Sequence, residues 1–230
     1  LSIRRQRQMC IRDSGKAIPP TPVVGGVGLI EDVSKIATLK GAQSGDVLVL
    51  IGETKGHLGA SLYAREWLGL KGEDLGPPPP VDLEKEMKNA AFVRKLIEEG
   101  LVNAVHDVSD GGIACAAAEM ALGTASGIHL ITQDHQIREI DGNTYSFGGQ
   151  SGEDWPDLFY EDLGRYVVAV SPGRLAETWE AISRDQISAW NIGQFGGDAI
   201  IFDDLAKDAI SLTTLREAHE GWLPRYMKGD

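Results

Sequence analysis

Apolar residues fall along this chain in short runs separated by Gly, Pro and Asp, and the runs alternate between two periods. Asp46-Val47-Leu48-Val49-Leu50-Ile51 is apolar on both faces, which predicts a strand buried in the middle of a sheet. Val23 to Glu31 alternates Val with Gly and reads as a second strand. A helix is expected over about Leu58 to Leu68, after a Gly-containing turn. Gly76-Pro77-Pro78-Pro79-Pro80 is a stiff connector that fits neither helix interior nor ladder strand. Asp82 then caps a helix in which Leu83, Met87, Ala90, Val93 and Ile97 recur at helical spacing, and Gly100 ends it.

The pattern continues with a short strand at Ala104 to His106, a small-residue helix over Ile113 to Leu122 and a strand at Gly127 to Thr132. Residues 133–156 dissolve into Gly, Asp, Ser and Gln and read as a long surface loop. Arg165 to Val170 is expected as a strand and Gly173 to Ser183 as a helix. Trp190 to Phe195 with Ala199 to Phe202 reads as a closing hairpin, and Leu212 to Met227 as a last helix. Interleaved strands and helices that finish in a hairpin indicate an α/β (α+β mixed) fold with a mixed sheet.

Composition narrows the chemistry. The 230 residues carry a net charge of −12. An acidic surface argues against binding a nucleic-acid backbone, which calls for clustered Lys and Arg. It leaves room for a nucleotide, whose phosphates can be held by backbone N–H groups and a metal ion. No run has the length of a membrane-spanning helix, and no signal peptide is visible. Cys10 and Cys115 stand far apart, which fits a reducing compartment and builds no zinc or disulfide framework. Residues 1–14 differ from the rest: Arg4, Arg5, Arg7 and Arg12 face only Asp13. This run resembles translated sequencing-adapter read-through, so the native domain is expected over residues 15–230.

Three segments can carry chemistry. Gly52-Glu53-Thr54-Lys55-Gly56-His57-Leu58-Gly59-Ala60-Ser61 joins a buried strand to a helix. Gly56 and Gly59 would let a phosphate approach the backbone, with Lys55 or Ser61 in contact; an ordinary Gly turn with an N-cap is the competing reading. It is not a P-loop. Val105 to Gly112 has the same layout: His106, Asp107, Ser109 and Asp110 precede Gly111-Gly112 and a helix. These side chains suit Mg²⁺, a ribose or an amide; alternatively Ser109 or Asp110 caps the helix and His106 bonds within the core. Glu161-Asp162, followed by Arg165, could be a ligand set or an ion pair, with a solvated loop pair as the default reading.

These segments resemble one family. Ile18-Pro19-Pro20-Thr21-Pro22-Val23-Val24-Gly25, Gly56-His57-Leu58-Gly59-Ala60-Ser61-Leu62, Ala104-Val105-His106-Asp107-Val108-Ser109-Asp110-Gly111-Gly112, Glu161-Asp162 with Gly164-Arg165-Tyr166, and Glu217-Ala218-His219-Glu220-Gly221-Trp222 look like the synthetase subunit of phosphoribosylformylglycinamidine synthase, in the family's order. The resemblance implies an aminoimidazole ribonucleotide synthetase-like fold and places this chain as the second C-terminal domain of a longer chain. The family's Gly-Asn-x-Ser-Leu-Tyr-Asn nucleotide run would lie just upstream of Gly15. Where the family reads Phe-Gly-Glu-Asp-Gln, this chain reads Phe159-Tyr160-Glu161-Asp162-Leu163.

The implied activity is ATP-dependent conversion of formylglycinamide ribonucleotide to its amidine with glutamine-derived ammonia, in a cytoplasmic setting. ATP and Mg²⁺ are the implied cofactors, bound mainly elsewhere in the long chain. The implied partners are the remainder of the synthetase subunit, a separate glutaminase subunit and a small accessory subunit. No residue is expected to be catalytic. Cleft-lining roles would fall to Lys55, Gly56, His57, Gly59 and Ser61 at one strand end, and to His106, Asp107, Ser109, Asp110, Gly111 and Gly112 at another. A related superfamily kinase or synthetase, or a non-catalytic assembly domain, is the alternative.

Overall fold

A computed structural model describes residues 25–131, 136–140, 143–147, 158–202 and 209–228. The chain divides into two units, residues 1–33 and 34–230. Within the first, residues 25–31 are exposed and form no strand, against the strand expected over Val23 to Glu31. Their alternate glycines supply no side chains for a sheet face, and Val27, Leu29 and Ile30 remain solvent-accessible. Val23 and Val24 lie outside the described residues.

The second unit is built on a mixed sheet with nine strands among the described residues. These are β1 (Val47–Ile51), β2 (Ala104–Asp107), β3 (Ile128–Leu130), β4 (Gln136–Ile140), β5 (Asn143–Phe147), β6 (Tyr166–Val170), β7 (Ala189–Phe195), β8 (Ala199–Phe202) and β9 (Ile210–Ser211). The order is β2-β6-β1-β7-β3-β8-β9, and the β4-β5 pair attaches to β7 through Phe147 opposite Asn191. β1 is interior, antiparallel to both neighbours, and every one of its residues is buried. A strand apolar on both faces is stable only if both faces are covered, at roughly 1.5–3 kcal/mol per buried aliphatic side chain.

Helices supply that cover. α1 (Leu83–Glu98) and α3 (Leu175–Arg184) pack with Val47, Val49, Ile51, Val168 and Val170. α2 (Gly112–Thr124) packs with Leu48, Leu50, Ala104, Val167 and Ala169, and α4 (Leu212–Lys228) adds Leu212 and Leu215 at the edge of that cluster. The α1 cap is as expected: the Asp82 carboxylate accepts the Lys85 N–H at 3.1 Å. Its stripe holds at Val93 and Ile97, which pack against the core, but not at its start. Phe92, Val93 and Leu96 are buried, whereas Leu83 and Met87 are exposed, because the first two turns lie clear of the core.

Three further expectations change. β7 and β8 are not a hairpin, since β3 lies between them, antiparallel to β7 and parallel to β8. The insertion needs a close approach at Gly127, whose N–H donates to the Gly197 carbonyl while its own carbonyl accepts from Gly196. A Cβ on Gly127 would stand 2.3 Å from the Ala199 carbonyl oxygen. Within residues 133–156, expected as loop, β4 and β5 form an antiparallel pair from Gln136 opposite Phe147 to Ile140 opposite Asn143. Finally, the helix expected over Leu58 to Leu68 shrinks to a π-helical turn, Tyr63–Trp67.

Candidate functional site

The pairing register decides which turns meet. Ile51, at the C-terminal end of β1, lies opposite Tyr166, at the N-terminal end of β6; Asp107, ending β2, lies opposite the same Tyr166. The turns that follow β1 and β2 and the segment that precedes β6 are therefore gathered at one end of the sheet. These are the three segments singled out from the sequence.

The third segment organises the other two. Asp162, only 4% exposed, accepts the N–H groups of Lys55 at 2.9 Å and Gly56 at 3.2 Å through Oδ2, while its Oδ1 lies 2.5 Å from His57 Nδ1. Glu161 Oε1 accepts the Leu62 N–H at 2.8 Å and the Gly111 N–H at 2.7 Å. The Glu161 N–H donates to the His57 carbonyl. Expected as a solvated pair, the two carboxylates are instead an internal clamp. Two or more N–H donors on one carboxylate are strong, charge-assisted contacts.

Arg165 fixes the clamp from beneath. It is 1% exposed and donates to the Asp162 carbonyl and Thr54 Oγ1, each at 2.9 Å, and to the Tyr160 carbonyl. Burial lowers its pKa to about 10, opposed by the Asp162 charge. Burial pushes the Asp162 carboxyl upward, but His57, the Lys55 and Gly56 N–H groups and Arg165 outweigh it, so its pKa lies below the ordinary carboxylate value.

The remaining sequence candidates occupy distinct places. Ser61 is buried; its hydroxyl donates to the Leu58 carbonyl at 2.6 Å and accepts the Ala64 N–H at 3.1 Å, which makes it a local cap. Gly59 is backed against the proline connector, where a Cβ would stand 2.0 Å from the Pro77 carbonyl oxygen. His106 Nε2 lies 2.8 Å from Glu119 on α2 and its Nδ1 lies 2.7 Å from the Asp107 carbonyl oxygen. Neither Ser109 nor Asp110 caps α2 through its side chain: the N-cap is Gly111, in the left-handed region, and Glu161 takes its N–H. Gly112 also has φ +66°, and a Cβ there would stand 2.6 Å from the Leu158 carbonyl oxygen and 2.7 Å from that of Tyr160.

What the clamp leaves open to solvent at this end is Lys55, Gly56, Asp107, Ser109 and Asp110. A polar pocket beside it is lined by Glu53, Lys55, His57, Lys85, Asn89 and Asp162. Lys85 closes one wall by pairing with Glu53 at 2.7 Å. Among the described residues, no three His, Cys, Asp or Glu side chains are grouped to hold a metal ion. The joining of buried Asp162 and Arg165 with half-buried Glu161 in one network was not visible in the sequence, although their acidic-acidic-basic spacing just before a strand was.

A mixed sheet covered by helices, with Gly turns gathered at one end, defines an α/β domain. Residues 43–203 match the model of the AIR synthase related protein, C-terminal domain family, and the chain belongs to that family. It is 44% identical over 214 residues to the phosphoribosylformylglycinamidine synthase subunit PurL of Methylocella silvestris, covering 93% of this chain and 26% of that protein. The chain thus spans about a quarter of the length of the curated relatives it matches. Two solved structures share the fold: Thermotoga maritima PurL complexed with FGAR, with TM-score 0.60, 18% identity and coverage of 80% of this chain and 30% of that one, and the same protein complexed with ATP, with TM-score 0.55, 18% identity and coverage of 80% and 27%.

Proposed function

We propose that this chain is the second C-terminal domain, residues 15–230, of the synthetase subunit of a phosphoribosylformylglycinamidine synthase. The supporting observation is the 44% identity to a PurL subunit across nearly the whole chain, together with the gathering of three of the family-like segments at one end of the sheet. The reaction joins nitrogen to an amide carbon. The amide oxygen of formylglycinamide ribonucleotide attacks the γ-phosphorus of ATP and ADP leaves. Ammonia then adds to the activated carbon, and the phosphate departs with the original amide oxygen, leaving an amidine. The nitrogen would come from a glutaminase subunit, with a small accessory subunit in the assembly, in the cytoplasm.

In this reading the domain lines the site and performs no bond-making. Exposed Lys55 supplies positive charge near a phosphoryl group, and Asp107, Ser109 and Asp110 face ribose or amide groups, while Gly56, His57, Gly59, Ser61, His106, Gly111 and Gly112 shape the two turns. Mg²⁺ is commonly held by one or two protein carboxylates together with substrate phosphates and water, and most of its protein ligands are assigned to other parts of the synthetase.

The test is a chimera in which residues 15–230 replace the matching domain of a complete small-form synthetase. ADP release is followed with formylglycinamide ribonucleotide, ATP, Mg²⁺ and ammonium. Release that depends on the ribonucleotide is expected. A folded chimera that binds nucleotide and gives no such release would overturn the assignment.

A further inference from the structure

We infer that Glu161 is a positioning residue that makes the two strand-end turns a single mechanical unit. One oxygen, Oε1, takes the N–H of Leu62 at 2.8 Å and that of Gly111 at 2.7 Å. The first donor belongs to the turn after β1, and the second opens α2 after β2. The two turns also lie close together: a Cβ on Gly111 would stand 3.6 Å from a methyl carbon of Leu62. Each turn is separately tied to the same segment. The His57 carbonyl accepts the Glu161 N–H, and the Arg165 carbonyl accepts the Val108 N–H.

A carboxylate oxygen shared by two N–H groups couples them. If one turn withdraws its donor, a half-buried charge loses part of its solvation, and the remaining contact no longer holds the side chain in place. Opening of one turn therefore favours opening of the other. Asp162 cannot substitute, because the hydrogen bonds of its carboxylate all fall within Lys55 to His57. The consequence for ligands rests on the functional reading above: a group bound at Lys55 or Gly56 is felt at Asp107 to Gly111. The coupling itself rests on the geometry alone.

Hydrogen exchange on the full-length chimera, read by mass spectrometry on peptides spanning 58–66 and 108–114, tests this without using activity. Glu161→Ala is expected to speed exchange in both peptides about 10- to 100-fold, while a peptide covering β1 stays unchanged. Glu161→Gln keeps an acceptor oxygen at the same reach and is expected to restore most of the protection. Acceleration in only one peptide, or a Gln variant that behaves like Ala, overturns the proposal. Should Glu161→Ala not fold, Glu161→Asp retains the charge but shortens the reach, and it must loosen both peptides together.

A kinetic arm addresses the role in the reaction. In a chimera that turns over, Glu161→Ala is expected to raise KM for ATP about tenfold with kcat within about twofold, and Glu161→Gln to return KM to within about threefold. A fall in kcat with KM unchanged would overturn the positioning role. A parent chimera without turnover counts against the assigned reaction, and the exchange result then decides the coupling by itself.

Discussion

The turns after β1 and β2 share a plan, strand to Gly-containing turn to helical segment, yet they are specified in different ways. The first is held by side chains that arrive from far along the chain: Asp162 on Lys55, Gly56 and His57, Glu161 on Leu62, and Arg165 on Thr54. The second is specified chiefly by missing side chains. Gly111 and Gly112 both adopt positive φ, and the backbone of residues 158–160 fills the space where a Gly112 side chain would stand. The first also relies on its own Ser61 cap, whereas the second has Glu161 on the N–H of its central Gly111. A turn held by charge can be tuned by pH and by neutral isosteres. A turn held by close backbone approach tolerates no substitution at its centre.

The largest effect is therefore expected at Gly112. Gly112→Ala combines a left-handed φ with contacts of 2.6–2.8 Å to the backbone of Leu158, Phe159 and Tyr160, none of which can swing away like a flexible side chain. A loss of about 3 kcal/mol or more is expected, read as a lower urea midpoint at unchanged slope. A variant within about 0.5 kcal/mol of the parent would show that the second turn is held by side chains after all.

A charge-held first turn makes a different prediction, in sign and in pH. The folded pKa of Asp162 lies below its ordinary value of 3.8. A depressed carboxylate contributes stability that is complete above the unfolded pKa and is lost as pH falls through the folded value. Asp162→Asn removes the charge and presents an NH₂ group toward N–H donors. It is expected to cost about 1–3 kcal/mol at pH 7 and progressively less below pH 4, so that the parent and variant curves converge in acid. A penalty independent of pH from 7 to 2.5 would mean that shape, not charge, holds this turn.

How much of this was legible in the sequence follows the same division. β1 and the caps of α1 could be read because their signals are local: an unbroken apolar run, and an Asp followed at once by a helical stripe. The two Gly turns were legible as turns for the same reason. The Glu161-Asp162 clamp was not, because its donors lie about 50 to 107 positions away and only the register of β1, β2 and β6 brings them close. A solvated surface pair and a buried clamp are identical as sequence. The insertion of β3 between β7 and β8 was hidden likewise, since adjacent strands joined by Gly196-Gly197 normally pair with each other. The β4-β5 pair was missed for a different reason. Only Asn143 to Phe147 alternates with period two, since Ile137 and Ile140 fall three apart, and the Asp141-Gly142 turn signal was outweighed by the surrounding Gly, Ser and Asp.

The smallest expected effect sharpens the comparison most finely, because Ser61 is the one local device in a turn otherwise held from outside. Its hydroxyl both donates to the Leu58 carbonyl and accepts the Ala64 N–H, at zero exposure. Ser61→Ala leaves the Ala64 N–H without that acceptor and is expected to cost about 1 kcal/mol, the usual magnitude for a lost cap. The cost should be the same at pH 7 and pH 3, since no group in the contact titrates there. Measured in the Asp162→Asn background, it should add to the Asn penalty if the cap and the clamp act independently. A combined loss that differs from the sum by more than about 0.5 kcal/mol would show that the carboxylates hold the cap in place, and that the first turn has no local element of its own.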